Sequence, residues 1–424
     1  ISFKQMRGFS RMFPLPMWME PTTMKFNTND ITLTDARLHL GKSNFTLNGE
    51  ISQIRRAMLR GGKLKGDFNL SSDYIDCNQL MLAIGKGLQF SDQLASNSVR
   101  AFSEDSISVL ETDHLLANTV DSVATDSISQ LFVVPKFLDL TLHTNAKKID
   151  FKDLKLEDVK GEVVIRDQSI NLSDLCMSSN IGSGDLTMVY TTKTDQEATM
   201  GFELSLNDIL VERLISLFPD IDTLVPMLRS FEGMVDCQMT ATCKADSTMS
   251  VLLPSVNASC YLSGKNMVLL DGETFTEISK TLMFKNKKRN MIDSIAVDLA
   301  IHDNKIEVFP FLVEMDRYKV AVGGTHNLDM TFDYHLSVLK SPVPFKLGID
   351  IKGNLDDFKF KIVKCKYKDF LKPAKQAELD STRRNVREEI RETIRKQIRE
   401  AAPELGNSLS EIHPHTHGHV EEST

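Results

Sequence analysis

The stretch LDMTFDYHLSV, from Leu328 to Val338, carries an apolar residue at every second position. Because successive side chains of a β-strand point to opposite faces, this alternation predicts a long strand with one apolar face and one face in water. The residues expected on the apolar face are Leu328, Met330, Phe332, Tyr334, Leu336 and Val338. Those expected in water are Asp329, Thr331, Asp333, His335 and Ser337.

The segments before this stretch repeat the pattern, and a turn or break separates each from the next. A turn is expected at Asp303 and Asn304, and a break at Gly323 and Gly324. Strands joined by such short links predict an antiparallel meander. The further residues that we place on its apolar face are Ile295, Val297, Leu299, Ile301, Tyr318, Val320 and Val322.

Composition describes an ordinary folded chain and excludes some classes of function. The 424 residues are 25% charged and 41% hydrophobic, with a net charge of −8, which argues against general nucleic-acid binding. The sequence contains no run of about 18 apolar residues, so we expect no membrane-spanning helix. The chain opens at Ile1 and not at Met, so we expect a fragment that lacks its native N-terminus.

Changes in composition divide the chain into five parts. We expect a first β module over 1–90, truncated at its N-terminus, and a polar loop or insertion rich in Ser, Asp, Thr and Asn over 91–130. A larger β module is expected over 131–368, then a charged amphipathic helix over 369–402 and a disordered tail over 403–424. Within these parts, short helices are expected over 78–88, 106–118, 208–218 with Asn207 as N-cap, 223–229 and 273–282.

A loose internal repeat places glycine at the start of several strands. The glycines are Gly49, Gly66, Gly161, Gly233, Gly264 and Gly353. Glycine at such a position suits a turn that needs positive φ just before the strand. Glycines that merely mark ordinary hairpin turns would give the same pattern.

The C-terminal helix has a narrow apolar stripe beside a row of arginines. Val386, Ile390, Ile394 and Ile398 form the stripe, and Arg383, Arg387, Arg391, Arg395 and Arg399 form the row. Such a helix can lie on an anionic lipid surface, cap the open end of the sheet or pack on a partner protein. Capping or packing is the preferred interpretation.

Candidate chemical sites are weak, and we predict no enzyme, no cofactor and no metal. Ser183 lies between two glycines but lacks the pattern of a nucleophile elbow, so a structural turn explains it better. The tail motif HPHTHGH is expected to have only adventitious metal affinity. Of the six cysteines, Cys243 and Cys260 could meet across a hairpin, while scattered buried thiols are the simpler expectation.

The predicted helices are too few and too short to cover the apolar faces of roughly twenty strands. Two sheets could bury those faces against each other as a sandwich. Alternatively, one long curved sheet could leave an apolar trough that accepts acyl chains, because burying each CH₂ is worth about 0.8 kcal/mol. The sequence pattern leaves both alternatives open.

The order of elements from about residue 138 to 338 resembles the C-terminal region of the AsmA family. The segments that carry the resemblance are LKLEDVKGEVVIRDQSINLSDL (154–175), LDGETFTEISKTLMFKN (270–286), IDSIAVDLAIHDNKIEVFPFLVEMD (292–316) and VAVGGTHNLDMTFDYHLSV (320–338). Residues 24–82 look like an earlier copy of the same module. No single motif is specific, so the order of the segments carries the resemblance.

The resemblance implies a mainly β fold: an elongated, twisted, mostly antiparallel sheet that forms an apolar groove. It implies a periplasmic protein of Gram-negative bacteria, anchored in the inner membrane by a segment absent from this chain. The expected role is outer-membrane biogenesis by binding or conducting phospholipid acyl chains. The alternative is a non-catalytic structural protein that closes its apolar face as a core and binds outer-membrane or envelope proteins.

Overall fold

The computed structural model describes most of the chain. The described residues are 2–3, 5–10, 13–97, 131–151, 154–179, 182–194, 196–217, 231–270, 289–315, 318–327, 331–341, 346–354 and 357–401. Within them the protein is mainly β, with few helices, so the predicted fold class is confirmed.

The strands fall into two groups, separated by the longest helix-containing connection. The first group is β1 (Ser2–Phe3), β2 (Met6–Ser10), β3 (Phe13–Met19), β4 (Thr22–Phe26), β5 (Ile31–Leu40), β6 (Ser43–Ser52), β7 (Leu64–Ser72) and β8 (Ile75–Asp76). The second begins with β9 (Leu138–Phe151), β10 (Leu154–Arg166), β11 (Ser169–Ser179), β12 (Gly182–Thr191), β13 (Glu197–Leu210), β14 (Phe231–Glu232) and β15 (Met234–Asp246). It continues with β16 (Asn257–Leu270), β17 (Arg289–His302), β18 (Lys305–Met315), β19 (Tyr318–Asn327), β20 (Phe332–Lys340), β21 (Leu347–Gly353) and β22 (Phe358–Val363).

Four α-helices accompany these strands in the described part of the chain. They are α1 (Ile54–Arg60), α2 (Cys77–Asn97), α3 (Val211–Leu217) and α4 (Pro373–Ala401). A single 3₁₀ turn, Leu253–Ser255, lies between β15 and β16.

All described strands belong to one open, mostly antiparallel sheet. From β22 back to β9, each strand pairs with the strand before it in the chain, with one exception. Strand β13 pairs with β15, because the two-residue β14 between them pairs with β16 instead. The order then continues from β9 to β7, β6, β5 and the short strands β1–β4. At about 4.8 Å per strand, the sheet extends about 80 Å along its hydrogen-bonding direction.

The two predicted β modules join through the parallel pairs in this sheet. Strands β7 and β8 run parallel to β9, whereas the other pairs are antiparallel. Parallel neighbours need a long crossover connection, and here it contains α2 and the chain up to Leu138. Residues 1–90 and 131–368 therefore contribute to one continuous sheet.

The registers carry a single apolar face from strand to strand. Val297 of β17 lies opposite Leu262, Leu262 opposite Cys237 and Cys237 opposite Leu206. Directly opposite residues point to the same side, so alternating apolar residues line up across the sheet. We call this side the apolar face and the other side the polar face.

Aspartates in left-handed conformation keep the apolar rows in phase. Asp35, Asp174 and Asp208 have φ of 49°, 49° and 56°, and each lies where the register shifts by one residue. The amide of Asp35 donates to Oδ1 of Asn48 at 2.7 Å, and that of Asp208 donates to Oδ1 of Asp236 at 3.1 Å. Each bulge adds one residue, so apolar residues three apart still share a face, and it increases the local twist.

Helix α4 lies across the polar face of the central strands. It packs on β11, β12, β13, β15 and β16, with Ile390, Ile394 and Ile398 buried against Val189 of β12. Met188 and Tyr190, which flank Val189, belong to a cluster on the apolar face, so Val189 and the helix lie on the polar face. The predicted helix over 369–402 is thus present from 373 to 401.

Several local predictions were wrong, and each has a structural reason. The expected helix over 208–218 is α3 alone, because β13 continues through Asn207 and the Asp208 bulge to Leu210. The break expected at Gly323 and Gly324 is absent, because β19 runs through both.

Other boundaries also moved. The helix expected over 78–88 extends to Asn97, so residues 91–97 are helical and not part of a polar loop. The helices expected over 106–118, 223–229 and 273–282, and the tail over 403–424, lie outside the described residues, as do Leu328 and Met330.

The expected turn is present, whereas only some of the glycines have the predicted conformation. Asp303 and Asn304 form the two-residue turn between β17 and β18, both with positive φ, as the turn chemistry predicts. Gly233 has φ of 136° and directly precedes β15, as predicted. Gly49 and Gly161 have positive φ but lie inside strands, next to bulges, and Gly66 and Gly264 lie inside strands without positive φ. A Cβ on Gly49 would lie 2.0 Å from the carbonyl oxygen of Asp67, so only glycine fits there.

Candidate functional site

The apolar face is the largest candidate site of the molecule. Every described residue that the sequence assigned to it lies there, in register across β17, β19 and β20. Leu299, Ile301, Val320, Leu336 and Val338 are buried. The half-buried ones are Ile295, Val297, Tyr318, Val322, Phe332 and Tyr334.

The apolar side chains form clusters that follow the order of the strands along the sheet. One cluster spans β13 to β18, a second spans β19 to β22, and Tyr334 contacts both. The remaining ones span α2 with β6–β12, β10–β13, and β4–β7 with β9. A sheet folded into a filled sandwich would bring together side chains from distant strands. Among the described residues, each cluster is made of strands that follow one another in the sheet, with Tyr334 reaching across β19.

Short elements cover the apolar face near the strand ends. Helix α3 adds Val211 and Leu214 to the central cluster, beside the last residues of β13. At the opposite ends of the strands, Leu131 and Val134 pack on Tyr190. The first turns of α2 close the strand ends of β6–β10. The open direction of the face therefore runs across the strands, along the length of the sheet.

At both ends of the sheet the apolar face reaches solvent. Phe26 of β4, opposite Ile31, is 57% exposed, and Ile362 of β22, opposite Ile349, is 68% exposed. Singly exposed apolar residues are common on protein surfaces, so these two count only as the ends of the apolar row between them.

The electrostatic environment of the apolar face is that of a nonpolar medium. Burial raises the pKa of Tyr334 to about 12. The pKa of the Cys260 thiol lies well above its usual value, because Cys237 shares a hydrogen bond with it and because it is buried. The sulfur atoms of Cys237 and Cys260 are 3.9 Å apart, and all six cysteines are free. The suggested meeting of Cys243 with Cys260 was wrong, since Cys243 faces Met200 on β13.

A buried polar cluster on the polar face corrects one sequence prediction. His335 and Ser337, expected in water, are 6% and 0% exposed. Nδ1 of His335 lies 2.6 Å from Oδ1 of Asp350 on β21, and Nε2 lies 2.9 Å from Oγ of Ser337. The chain after β22 turns back over these residues and excludes water from them.

This cluster has the composition of a Ser-His-Asp triad but its hydrogen bonds are used structurally. The amide of Lys366 donates to Nε2 of His335 at 3.1 Å, and the amide of Tyr367 donates to Oγ of Ser337 at 2.9 Å. Because Nε2 accepts, Nδ1 carries the proton and donates to Asp350. A catalytic base would need Nε2 free and a serine accessible to substrate. The arrangement is suited to holding residues 366–367 on the sheet.

The arginine row of α4 points at carboxylates of the sheet. Arg383 and Arg387 lie 3.3 and 3.5 Å from the buried carboxylate of Asp298, and Arg391 pairs with Glu203. Burial raises the pKa of Asp298, although the two arginines oppose that shift. Arg395 and Arg399 follow on the last turns, where Nε of Arg399 donates to the carbonyl of Arg395. Three of the five arginines therefore serve attachment of the helix to the sheet.

Sequence reasoning missed the bulges and the buried cluster. The bulges had a signal: apolar alternation slips by one residue at LTDA (33–36), LSDL (172–175) and LNDI (206–209), each time at an aspartate. The burial of His335 had no local signal, because the covering residues lie about 30 positions later in the chain.

Comparisons with protein-family models, with curated proteins and with solved structures gave no match. Among the described helices, none combines the length and apolarity needed to span a membrane. In the same part of the chain, no group of three or more His, Cys, Asp or Glu side chains is placed to hold a metal ion.

Proposed function

We propose that the protein binds phospholipid acyl chains along the apolar face and conducts them across the strands. In this proposal the apolar face is the floor of a groove, and the protein acts in the periplasm in outer-membrane biogenesis. It works between the inner and outer membranes, as the resemblance to the AsmA family suggests. The proposal includes anchorage in the inner membrane, which the same resemblance implies.

The observation that carries the proposal is the arrangement of the apolar clusters. They follow one another along the sheet, and each of the described ones is made of consecutive strands and the short elements beside them. Side chains such as Val297 and Phe332 are only half-buried on this face, so part of their apolar surface is accessible to a ligand. Transfer of an acyl chain of some 15 methylenes from water into a fully apolar site is worth about 12 kcal/mol, so a lipid that has left the bilayer is held on such a surface and not released to water.

Native mass spectrometry of protein purified from a bacterial envelope tests the proposal. We expect bound phospholipid in the wild type. The variant V297D/F332D places charge on half-buried groove positions and is expected to keep its fold while losing lipid. Ala296 is the matched control, because it precedes Val297 on β17 and is exposed on the polar face, so A296D should keep both lipid and fold.

Two results would overturn the proposal. One is a lipid-free wild-type protein recovered from phospholipid-rich envelope. The other is unfolding of V297D/F332D while A296D stays folded, because buried unpaired charge is that destructive only in a filled core.

The second candidate is a non-catalytic interaction protein. Its supporting observation is the edge of the sheet: among the described strands, β22 pairs with β21 alone. Its other edge presents backbone groups to which a strand of an envelope protein could add. This candidate predicts co-purifying protein and no lipid in the same mass spectra.

A further inference from the structure

Positive charge is concentrated at one end of the sheet. Between residues 340 and 375 the sequence has ten lysines and four aspartates, with no arginine or glutamate, in a chain whose net charge is −8. This segment contains β21 and β22, which are the last strands at that end. The rest of the chain is therefore strongly acidic, and the basic end is distinct from it.

Lysines of β21 and β22 lie on the polar face. Lys359 lies directly opposite Lys352 across the antiparallel pair, and Lys361 lies opposite Asp350. Only Lys352 is neutralised locally, by Asp333 at 2.6 Å. Like charges placed directly opposite each other destabilise a sheet, so this pairing contributes nothing to the fold.

The chain after β22 adds further lysines above an open cleft. Residues 364–367 turn back over the polar face, where they are held by His335 and Ser337. A cleft of about 460 Å³ remains, and its charged lining residues are Lys352, Lys364, Lys366, Asp333 and Asp350. Within the described residues, no carboxylate forms an ion pair with Lys359, Lys361, Lys364 or Lys366, while nearby Lys372 pairs with Asp369.

The same strand carries apolar side chains on its other face. Phe358 and Phe360 contact each other edge to face at 5.2 Å, and Ile362 is 68% exposed. The terminal strand thus combines lysines, which attract negative charge, with an exposed apolar side chain. Peripheral membrane proteins use this combination on anionic bilayers.

We propose that the lysine-rich end of the sheet docks on a bilayer that contains anionic phospholipids. The lysines of β22 and of residues 364–366 contact lipid phosphates, and Ile362 enters the headgroup region. The purpose of this docking rests on the proposed function, since it brings the end of the groove to a source or acceptor of lipid. A long polyanion such as DNA fits less well, because the acidic remainder of the chain repels it.

Co-sedimentation of the full chain with vesicles tests this docking. We expect binding to phosphatidylcholine vesicles that also contain phosphatidylglycerol, weak binding to phosphatidylcholine alone, and loss of binding at high salt. Each lysine near an anionic surface contributes about fivefold, so K359Q/K361Q/K364Q should bind about a hundredfold more weakly. The control K25Q/K148Q/K160Q removes three exposed lysines from the other strands and should bind as the wild type does.

The outcomes separate docking from lipid carriage. Unchanged vesicle binding in K359Q/K361Q/K364Q, or equal binding to neutral vesicles, overturns the docking proposal. Retention on heparin without vesicle binding also overturns it, because the lysines would then be a general polyanion site. Native mass spectrometry of the same variant should still find phospholipid, so a failure of docking leaves the groove proposal standing.

Discussion

His335 and Asp350 face each other across β20 and β21, with Nδ1 of the imidazole 2.6 Å from a carboxylate oxygen. Their neighbours Leu336 and Ile349 form the adjacent pair and point to the apolar face. One pair of strands therefore carries a buried polar cluster on one side and a buried apolar cluster on the other. The polar face is covered here because residues 366–367 hydrogen-bond to this pair of strands.

The His335 cluster is expected to hold the segment that leads into α4. In H335A the amide of Lys366 loses its acceptor and the Asp350 carboxylate loses its donor, each at a cost of about 1–3 kcal/mol. Hydrogen exchange should show loss of protection at the amides of residues 366 and 367, with β9–β13 unchanged.

The control for this prediction is H302A. His302 also lies near carboxylates, but its side chain is 48% exposed, so its removal should leave exchange at 366 and 367 as in the wild type. Unchanged protection in H335A would show that the turn is held by its other contacts.

Asp298 is expected to make stability depend on pH in an unusual direction. Burial raises its pKa in the folded protein despite Arg383 and Arg387. As pH falls through that raised folded pKa, the folded state takes up a proton before the unfolded chain does. Wild type should therefore gain stability relative to D298N between neutral pH and about 4, the ordinary value for an aspartate.

Thermal unfolding at a series of pH values measures this effect. The difference in Tm, wild type minus D298N, should rise as pH falls. A difference that shrinks with falling pH would mean that the two arginines outweigh burial and that the folded pKa is depressed.

The left-handed aspartates are expected to tolerate glycine but not β-branched residues. Asp35 has φ of 49°, a conformation that costs an ordinary L-residue about 1–2 kcal/mol and a β-branched residue more. D35V should lower the urea midpoint of unfolding, whereas D35G should stay close to wild type. Asp67 lies on β7 with ordinary strand geometry and an exposed side chain, so D67V is the matched control and should be nearly neutral. Equal loss in D35V and D67V would contradict a conformational origin.

Periodicity predicted the faces of the strands but not the sheet around them. Val297 and Leu299 lie where alternation places them, because facing depends only on local geometry. The alternation cannot show which strands pair. β7 and β9 are joined by a long connection, and the length of that connection does not determine the register in which the two strands pair. The burial of Ser337 likewise depends on Tyr367, a residue 30 positions away.

The C-terminal helix illustrates the same limit. As a pattern, its apolar stripe and arginine row favour capping or packing but also fit a membrane surface. In the structure the helix packs on the sheet, where Ile394 packs with Val189 and Arg383 pairs with Asp298. Tertiary contacts therefore determine where the helix lies. Because its arginines pair with the sheet, the candidate lipid-binding surface is formed by the lysines of β22 and not by the arginine row.

Site-specific photo-crosslinking tests the groove most directly. A benzophenone amino acid is placed at Val297 on the apolar face or at Ala296 on the polar face, in protein made in a Gram-negative cell. After irradiation, mass spectrometry of the purified protein should show a phospholipid adduct at position 297 and none at position 296. Adducts at both positions alike, or intramolecular crosslinks to a distant strand in place of lipid at 297, would contradict a lipid-binding groove.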